Sequence, residues 1–547
     1  MNAAAPTISL TRPDGRSAAL TRRLVDPYAA DVRAAEGEVS SWIAGWSQRT
    51  PDKLAIRFED QQISFRALEQ RVARLAGALR RREAIAAGDR VAYLGNNAPE
   101  LLDLLFACAR LGAIFVPLSA RMPAPELRSV LENVEPRALL AEARFARTAH
   151  EAADGLELRI LPFGGEDADR GLRQLLDRAP RLRCDPERGL RTPLMIINTS
   201  GTTGPPKAAV LTHEALHCNA LNVAASVGIG AADEVLANGP LFNTGPLNIL
   251  TTPALAAGAT LTILREFDAG ATLEAIERRA ITLAIATPSM TKALISHPRW
   301  AATDLSSLHC VITGSTTVRA DVLAPWFERG VTVCQDYGLT ETMPVVTVVP
   351  LDDAHRLRAT AGRPVPHCRV RVADDDGSPV RDGAVGEVLV RGPTVMREYW
   401  RNPEATGEAF HDDGWFRTGD AGSLDDEGML RIVDRIKHVI IVGSCNVYPA
   451  DVESVLASCP QIAEAAVVGR ADEQLGEVPV AFVVPKRPGT IGADDVKRLF
   501  EGRLATYKHP REVIFTHALP RTAMGKVDGE QLRKSLRACP GGAAGPP

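Results

Sequence analysis

A short segment rich in glycine and hydroxyl side chains is the sharpest chemical feature of this sequence. It follows the apolar run 193–197 and contains Thr199, Ser200, Gly201, Thr202, Thr203, Gly204 and Lys207. Glycines let backbone N–H groups approach a ligand closely and form an anion nest, to which the hydroxyls and the ammonium add donors for phosphate oxygens. The segment is not a Walker A motif, because Lys207 does not directly follow a glycine and no Ser or Thr comes after it. By itself it predicts a phosphate-binding loop, with a plain surface turn as the alternative.

Four further motifs follow this loop in a fixed order. Residues 335–342 read QDYGLTET, 414–420 read GWFRTGD, 434–437 read DRIK and 520–526 read PRTAMGK. With the loop, they resemble the motifs of the adenylate-forming superfamily, which includes acyl-CoA synthetases, aryl-CoA ligases, amino-acid adenylation domains and firefly luciferase. The resemblance implies ATP-dependent activation of a carboxylic acid to an acyl-AMP. Thioester formation with CoA would follow, with release of AMP and pyrophosphate.

The resemblance also implies roles for particular residues. Attack of a carboxylate on the α-phosphate brings two anions together, so the site must position and neutralise them. Lys526 would bridge the two, Thr340 would donate to the α-phosphate, and Glu341 would hold Mg²⁺. Asp420 would accept hydrogen bonds from the ribose hydroxyls, and Tyr337 would offer its ring to adenine. The other nucleotide-binding residues that the resemblance implies, beside the phosphate loop, are Gly314, Ser315, Thr316, Asp336, Gly338 and Arg435.

The resemblance implies a domain rotation for the second half-reaction. The C-terminal domain would turn about a hinge residue, here Lys437, because a hinge needs only a few residues that absorb backbone rotation. The turned domain would present Gly443 and Ser444 to the thiol, as the wall of a tunnel for the pantetheine arm of CoA. The implied cofactors are therefore ATP, Mg²⁺ and CoA.

The predicted acid pocket departs from the pattern of many relatives. Its residues are Phe242, Asn243, Leu247, Met290, Met343 and Val345. Asn243 stands where many relatives carry His, and where amino-acid adenylation domains usually carry the Asp that holds an α-amino group. Because most of these side chains are apolar, they predict an apolar monocarboxylate, aryl or aliphatic, without an α-amino group.

Several other functions are compatible with the same motifs. The strongest alternative is an acyl-AMP ligase that loads a carrier-protein thiol, and we expect any such carrier to be a separate protein because no carrier domain follows Lys526. An amino-acid adenylation domain, an inactive nucleotide-binding sensor and a light-producing oxidase are further alternatives. Fold alone does not separate them.

The elements that must position these residues alternate between strand and helix. Residues 90–94, 99–111 and 113–117 predict a β-α-β unit, and the same alternation returns near 258–263, 283–286 and 308–312. We therefore predict an α/β fold with a large N-terminal AMP-binding domain, 1–434, containing parallel-rich sheets and a small β-barrel-like subdomain. A small mobile α+β domain, 435–547, would follow, with a helix at 449–456, strands at 465–468 and 480–484, and a helix at 493–504.

Composition excludes several other classes of protein. The 547 residues are 45% hydrophobic and 24% charged, with a net charge of −4 and no basic stripe for nucleic acid. No apolar run is long enough for a membrane span, and no signal peptide is read at the N-terminus. Nine scattered cysteines favour reduced thiols and a cytoplasmic protein, which we expect to be a monomer or homodimer. The first 20 or so residues and 540–547 are predicted to be disordered.

Overall fold

The structure is a computed structural model of the chain. It describes residues 39–165, 176, 179–184, 189–199, 207–314, 320–354, 360–374, 376–443, 445–472, 474–521 and 527–538. The termini predicted to be disordered lie outside these ranges. The described residues form two compact units, the first made of residues up to 199 with 207–369 and 391–406, the second of 370–390 and 407–538.

Strands and helices alternate along most of the described chain. The strands are β1 (Leu54–Phe58), β2 (Gln61–Ser64), β3 (Arg90–Leu94), β4 (Ile114–Leu118), β5 (Ala138–Glu142), β6 (Arg159–Phe163), β7 (Pro193–Thr199), β8 (Lys207–Thr212), β9 (Glu234–Ala237), β10 (Thr260–Ile263), β11 (Leu283–Ile285), β12 (Cys310–Thr313), β13 (Thr332–Tyr337), β14 (Thr347–Val348), β15 (Arg363–Pro364), β16 (Arg369–Ala373), β17 (Gly386–Arg391), β18 (Glu398–Tyr399), β19 (Phe416–Leu424), β20 (Leu430–Arg435), β21 (Ile440–Val442), β22 (Cys445–Val447), β23 (Ile462–Asp472), β24 (Gly476–Pro485) and β25 (Glu512–Phe515). The α-helices are α1 (Trp42–Arg49), α2 (Phe65–Arg82), α3 (Pro99–Leu111), α4 (Ala124–Val134), α5 (Ala146–Ala153), α6 (His213–Val227), α7 (Thr244–Pro246), α8 (Thr252–Ala256), α9 (Ala269–Arg279), α10 (Pro288–Ser296), α11 (Ala320–Glu328), α12 (Pro403–Glu408), α13 (Pro449–Ala457), α14 (Ala493–Arg498) and α15 (Gly529–Ala538).

The first unit contains a nine-stranded sheet with the order β15-β14-β13-β12-β11-β9-β10-β1-β2. Its centre, from β13 to β1, is parallel. On one face of this sheet, Leu236, Ala284, Val311 and Val333 pack with the apolar side chains of α9, α10 and α11 in one core cluster. The segment 247–256 also contacts β9 and β11 but contributes no side chain to that cluster, so it covers the opposite face.

A seven-stranded sheet with the order β18-β8-β7-β4-β3-β5-β6 completes the first unit. Strands β3 and β4 are parallel and joined by α3, which confirms the predicted β-α-β unit. Helix α3 has Pro99 in its first turn and ends at Gly112, whose φ of 72° is left-handed. At the other end, β7 and β8 form an antiparallel hairpin, and β18 pairs with β8.

The second unit contains two sheets. Strands β17, β19 and β20 are antiparallel, with β16 beside β17, where the resemblance implies a small β-barrel-like subdomain. The later sheet has the order β22-β21-β24-β23 with β25 beside β24, and its core packs on α13 and α14. This α+β arrangement is as predicted. The boundary after residue 434 concerns a hinge and stays a prediction.

The helices and strands differ from the predicted ones mainly at their ends. The predicted helix at 493–504 is wrong beyond Arg498. The following residues make i→i+3 turn bonds, such as that from Glu501 N to Arg498 O, and Gly502 then has a left-handed φ of 70°.

The eight described cysteines are all free. Among the helices that the structure describes, none has the length and apolar character that a bilayer crossing requires.

Candidate active site

The β7–β8 hairpin carries the predicted phosphate loop. Thr199 pairs with Lys207 across the hairpin, and the Thr199 hydroxyl donates to the Lys207 carbonyl oxygen over 3.2 Å. Lys207 is therefore fixed as the first residue of β8, at the foot of the loop. The remaining loop residues, 200–206, lie outside the described part of the chain.

Lys207 and Glu341 both contact the side chain of Tyr399. The Lys207 ammonium lies 4.9 Å from the centre of the Tyr399 ring. The Tyr399 hydroxyl donates to Glu341 Oε1 over 2.8 Å, in a buried contact. Tyr399 is held in place because β18 pairs with β8, with Tyr399 opposite Ala209. One aromatic side chain thus touches both a predicted phosphate-binding cation and the predicted Mg²⁺ ligand.

A tight turn after β13 places Thr340 and Glu341. A Cβ at Gly338 would lie 1.5 Å from the Pro344 carbonyl oxygen, so no side chain fits there. A single 3₁₀ turn spans Thr340–Thr342 and is followed by Met343 in the left-handed region, with φ 64°. Thr340 is partly exposed and Glu341 is buried. A carboxylate at this position is a suitable hard-oxygen ligand for Mg²⁺, which pairs one or two carboxylates with phosphate oxygens.

Asp336 and Tyr337 are the last two residues of β13. Gly314 directly follows β12 and is beside Asp336, because a Cβ added at Gly314 would lie 2.2 Å from Asp336 Oδ1. Burial raises the pKa of the Asp336 carboxyl to about 7. Tyr337 is partly buried on the strand. The other two residues of the predicted adenine loop, Ser315 and Thr316, lie outside the described residues.

The predicted acid-pocket residues come from three segments of the first unit. Phe242 and Asn243 precede α7 and are partly buried, whereas the other four are buried: Leu247, Met290, Met343 and Val345. A π-helical turn at Leu247–Thr251 links α7 to α8, a geometry that is frequent at functional sites. Within it, the Asn248 amide donates to Thr244 Oγ1 over 3.2 Å and contacts Met343 Sδ at 3.4 Å. This side chain joins the segment of Leu247 to that of Met343.

In the second unit, Asp420 and Arg435 are paired. They lie opposite each other on β19 and β20, and Arg435 Nε is 2.6 Å from Asp420 Oδ1. The Asp420 carboxylate is buried, and its backbone N–H donates to Thr418 Oγ1 over 3.0 Å. Arg435 also donates to the Thr418 carbonyl oxygen over 3.2 Å. These contacts orient the Asp420 carboxylate.

The predicted hinge and tunnel residues follow β20. Lys437 lies in a 3₁₀ turn, Ile436–His438, directly after Arg435. Asp434 accepts hydrogen bonds from Arg435 N over 2.7 Å and Ala450 N over 3.0 Å. Gly443 has φ 63°, which a residue with a side chain rarely adopts. Ser444 and the predicted catalytic Lys526 lie outside the described residues.

Two family models together match most of the chain. The model described as AMP-binding enzyme matches residues 43–400, and that described as AMP-binding enzyme C-terminal domain matches 451–526. The chain belongs to the AMP-binding enzyme family. The first match contains Lys207, Glu341 and Tyr399, and the second ends at Lys526. The predicted membership of the adenylate-forming superfamily is therefore confirmed.

Two curated members of the family are similar over almost their whole length. The chain is 46% identical over 503 residues to an indoleacetate–CoA ligase of Aromatoleum aromaticum, covering 91% of this chain and 98% of the relative. It is 39% identical over 498 residues to a feruloyl-CoA synthase of an Amycolatopsis species, with the same two coverages. Both of these family members are named as CoA ligases or synthases of aromatic acids.

Solved structures of the family support the fold. ATP-bound MatB from Rhodopseudomonas palustris matches with a TM-score of 0.85 and 30% identity, covering 91% of this chain and 99% of that one. The o-succinylbenzoate CoA synthetase MenE from Bacillus subtilis, in complex with its acyl-adenylate intermediate, matches with a TM-score of 0.81 and 30% identity, covering 90% and 98%. The predicted α/β class, with a large N-terminal and a small C-terminal domain, is confirmed.

Sequence reasoning missed Tyr399 and Asn248. Neither residue belongs to the motifs in which the family resemblance was recognised, and a tyrosine beside Trp400 or an asparagine in an apolar segment is an ordinary feature of sequence. The contact of Tyr399 with Glu341 spans 58 residues and that of Asn248 with Met343 spans 95. Only the packing of β18 on β8, and of the π-helical turn near Met343, brings them to the predicted site residues.

Proposed function

We propose that this chain is an AMP-forming ligase that joins an aromatic carboxylic acid to CoA. The observation that carries the proposal is the 46% identity to an indoleacetate–CoA ligase across 98% of that protein. The feruloyl-CoA synthase, 39% identical over 98% of its length, supports an aryl rather than an aliphatic acid. The mostly apolar set of predicted pocket residues agrees with such a guest.

In the first half-reaction, an acid carboxylate oxygen attacks the α-phosphorus of ATP and pyrophosphate leaves. The barrier arises because two anions must meet, so fixed cations are the most effective groups in the site. We assign Lys207 to the phosphates, Glu341 to Mg²⁺ and Lys526 to the carboxylate and α-phosphate. When bound, Mg²⁺ would neutralise phosphate charge as it develops. The contacts of Tyr399 with Lys207 and Glu341 support this assignment, since they orient both side chains.

Asp420 and Arg435 are assigned to the nucleoside end of ATP. Asp420 carries the charged acceptor that two ribose hydroxyls require, and its short ion pair with Arg435 limits the rotation of the carboxylate. Tyr337 and Gly314 are assigned to adenine. Ser315, Thr316 and Gly338 complete this set as the family resemblance implies.

In the second half-reaction, the CoA thiolate attacks the acyl carbonyl carbon and AMP leaves. The thiol proton is released to solvent or a base, and the products are acyl-CoA and AMP. We assign Lys437 to the hinge that separates the two half-reactions and Gly443 with Ser444 to the wall beside the pantetheine arm. The left-handed backbone at Gly443 supports that assignment, because a side chain there would be strained.

A carrier-protein thiol remains the second candidate for the acceptor. CoA and a carrier present the same pantetheine arm, so the assigned wall at Gly443 serves either. The names of the two curated relatives favour CoA. The free thiols of the described cysteines support the predicted cytoplasmic location. A monomer or homodimer stays a prediction.

A panel of acids tests the proposal. Pyrophosphate release should be measured with indoleacetate, ferulate, benzoate, medium-chain fatty acids and amino acids, with MgATP and either CoA or a phosphopantetheine-loaded carrier. We expect the aromatic acids to give the highest kcat/KM, and acyl-CoA to form. Preferential use of fatty acids or amino acids would refute the substrate class. Accumulation of acyl-AMP with CoA present, and acylation of the carrier alone, would establish the carrier-loading function instead.

A further inference from the structure

The carboxylate of Asp434 contacts the chain on both sides of the predicted hinge residue. Its Oδ1 accepts a hydrogen bond from the backbone N–H of Arg435 over 2.7 Å, and its Oδ2 accepts one from the N–H of Ala450 over 3.0 Å. Arg435 precedes Lys437 in the sequence, whereas Ala450 follows it. Within the hinge turn, His438 Nδ1 also lies 3.6 Å from Asp434 Oδ1. The side chain of Asp434 is only 11% exposed, so these contacts are largely shielded from water.

The Ala450 N–H belongs to the first turn of α13, where backbone N–H groups have no partner within the helix. The side chain of the N-cap residue usually accepts from such a group, but Tyr448 holds that position and makes no cap bond in the described structure. The Asp434 carboxylate accepts instead from outside the helix, and the helix dipole favours its negative charge. The cap of α13 is therefore supplied by a residue that precedes the hinge.

Helix α13 is itself fixed to the segment after the hinge. Val452 and Leu456 are fully buried in the core that α13 forms with β21, β22, β23 and β24. The Glu453 carboxyl accepts a hydrogen bond from the Val467 N–H of β23 over 2.8 Å. Because of these contacts, any rotation of the sheet β21–β24 about the hinge carries α13 with it.

Asp434 belongs instead to β20, which pairs with β19 ahead of the hinge. A rotation of the later segment about Lys437 therefore moves Ala450 away from Asp434, and a hydrogen bond weakens steeply when its geometry is lost. We infer that the bond between Asp434 and Ala450, here named the hinge contact, holds the segment after Lys437 in one of its two orientations and breaks when the ligase passes between its half-reactions. This inference rests on the proposed function, which assigns the hinge. It makes Asp434 a positioning residue.

Single-turnover rates of the two half-reactions test the hinge contact. Pyrophosphate release is measured with saturating MgATP and the best acid of the panel, and acyl-CoA formation is measured from prepared acyl-AMP and CoA. Asp434→Ala removes the carboxylate, and one hydrogen bond to a charged group changes an equilibrium by roughly 10-fold or more. We expect the ratio of the two rates to change by about this factor, with one half-reaction slowed and the other not slowed. Asp434→Asn keeps one acceptor oxygen and should give an intermediate ratio.

Asp268→Ala is the matched control. Asp268 Oδ1 accepts a hydrogen bond from the Ala271 N–H over 2.7 Å and caps α9 within the first unit, away from the hinge. This variant should lose stability and keep the wild-type ratio. Equal slowing of both half-reactions by Asp434→Ala would overturn the inference. A raised ATP KM with an unchanged ratio would do the same, because it would limit Asp434 to supporting Arg435.

Limited proteolysis with trypsin tests the same contact without any substrate. Trypsin cleaves after lysine, Lys437 is exposed, and the fragment that ends at Lys437 is followed by mass spectrometry. We expect Asp434→Ala to be cut there roughly 10-fold faster than the wild type and Asp268→Ala at the wild-type rate, since cleavage follows the population of locally opened chain. An unchanged cleavage rate at Lys437 in Asp434→Ala would contradict the hinge contact. If no acid supports pyrophosphate release, the proposed function fails, and the proteolysis result still decides the hinge contact.

Discussion

The contact between Tyr399 and Glu341 gives the sharpest prediction about the first half-reaction. Tyr399→Phe removes a hydroxyl that donates to the Glu341 carboxylate over 2.8 Å but keeps the ring that faces Lys207. A hydrogen bond to a charged group contributes about 1.5–3 kcal/mol, which corresponds to roughly 10- to 150-fold in a rate or binding constant. We expect pyrophosphate release to fall by up to this factor and the Mg²⁺ concentration for half-maximal rate to rise.

Tyr399→Leu separates the two contacts of this side chain. It also removes the ring 4.9 Å from the Lys207 ammonium, and a desolvated cation–π contact contributes about 1–2 kcal/mol, a further loss of roughly 5- to 30-fold. Tyr93→Phe is the matched control, because Tyr93 is fully buried and donates to the Asn96 carbonyl oxygen over 2.7 Å. The control should lose stability without a change in Mg²⁺ dependence. A Tyr399→Phe enzyme with wild-type rate and Mg²⁺ dependence would refute the positioning role.

Three further predictions concern single side chains. Lys526→Ala should lower pyrophosphate release by about 10²- to 10³-fold, as deletion of one charge-stabilising group does, while a prepared acyl-AMP still reacts with CoA; near wild-type release would contradict the assignment. Asp420→Ala should raise the KM of ATP by roughly tenfold or more. It should also lower the melting temperature, because Arg435 loses its carboxylate partner. An unchanged KM would argue against ribose binding. Burial raises the pKa of Glu453 to about 7 from 4.5, so wild-type stability should fall as the pH rises between these values, by at most about 1.4 kcal/mol per unit. Glu453→Gln, which keeps an acceptor for the Val467 N–H, should therefore be more stable than the wild type at pH 8 but not at pH 5, and equal melting temperatures at both would contradict the shift.

The sequence predicted the correct bounds for elements whose ends are marked by nearby residues in the chain. The bounds predicted for β3 and α3 match the structure, because the continuous apolar run after Arg90 forms the buried strand Arg90–Leu94, while Pro99 and Gly112 limit the helix. The helix predicted to run past Arg498 failed for the opposite reason. Its apolar spacing continues, but turn bonds replace helical ones before Gly502, and no proline or capping side chain marks that change in the sequence.

The contacts that the sequence did not predict are those between segments that come together only through packing. Tyr399 lies in a two-residue strand, and its contact with Glu341 exists because β18 pairs with β8 rather than with its neighbours in sequence. A motif resemblance transfers roles only to positions inside the motif. A side chain that supports a motif residue from another segment is therefore invisible until the strand order is known.

The stretch from Asp336 to Glu341 shows a different limit of the same reasoning. Read as one motif, it assigns Asp336, Tyr337, Gly338 and Thr340 to the nucleotide and Glu341 to Mg²⁺, yet a β-strand turns adjacent side chains to opposite faces of its sheet. Tyr337 lies on the face of α9–α11 and Asp336 on the face of segment 247–256, so the two cannot bind one planar group from the same side.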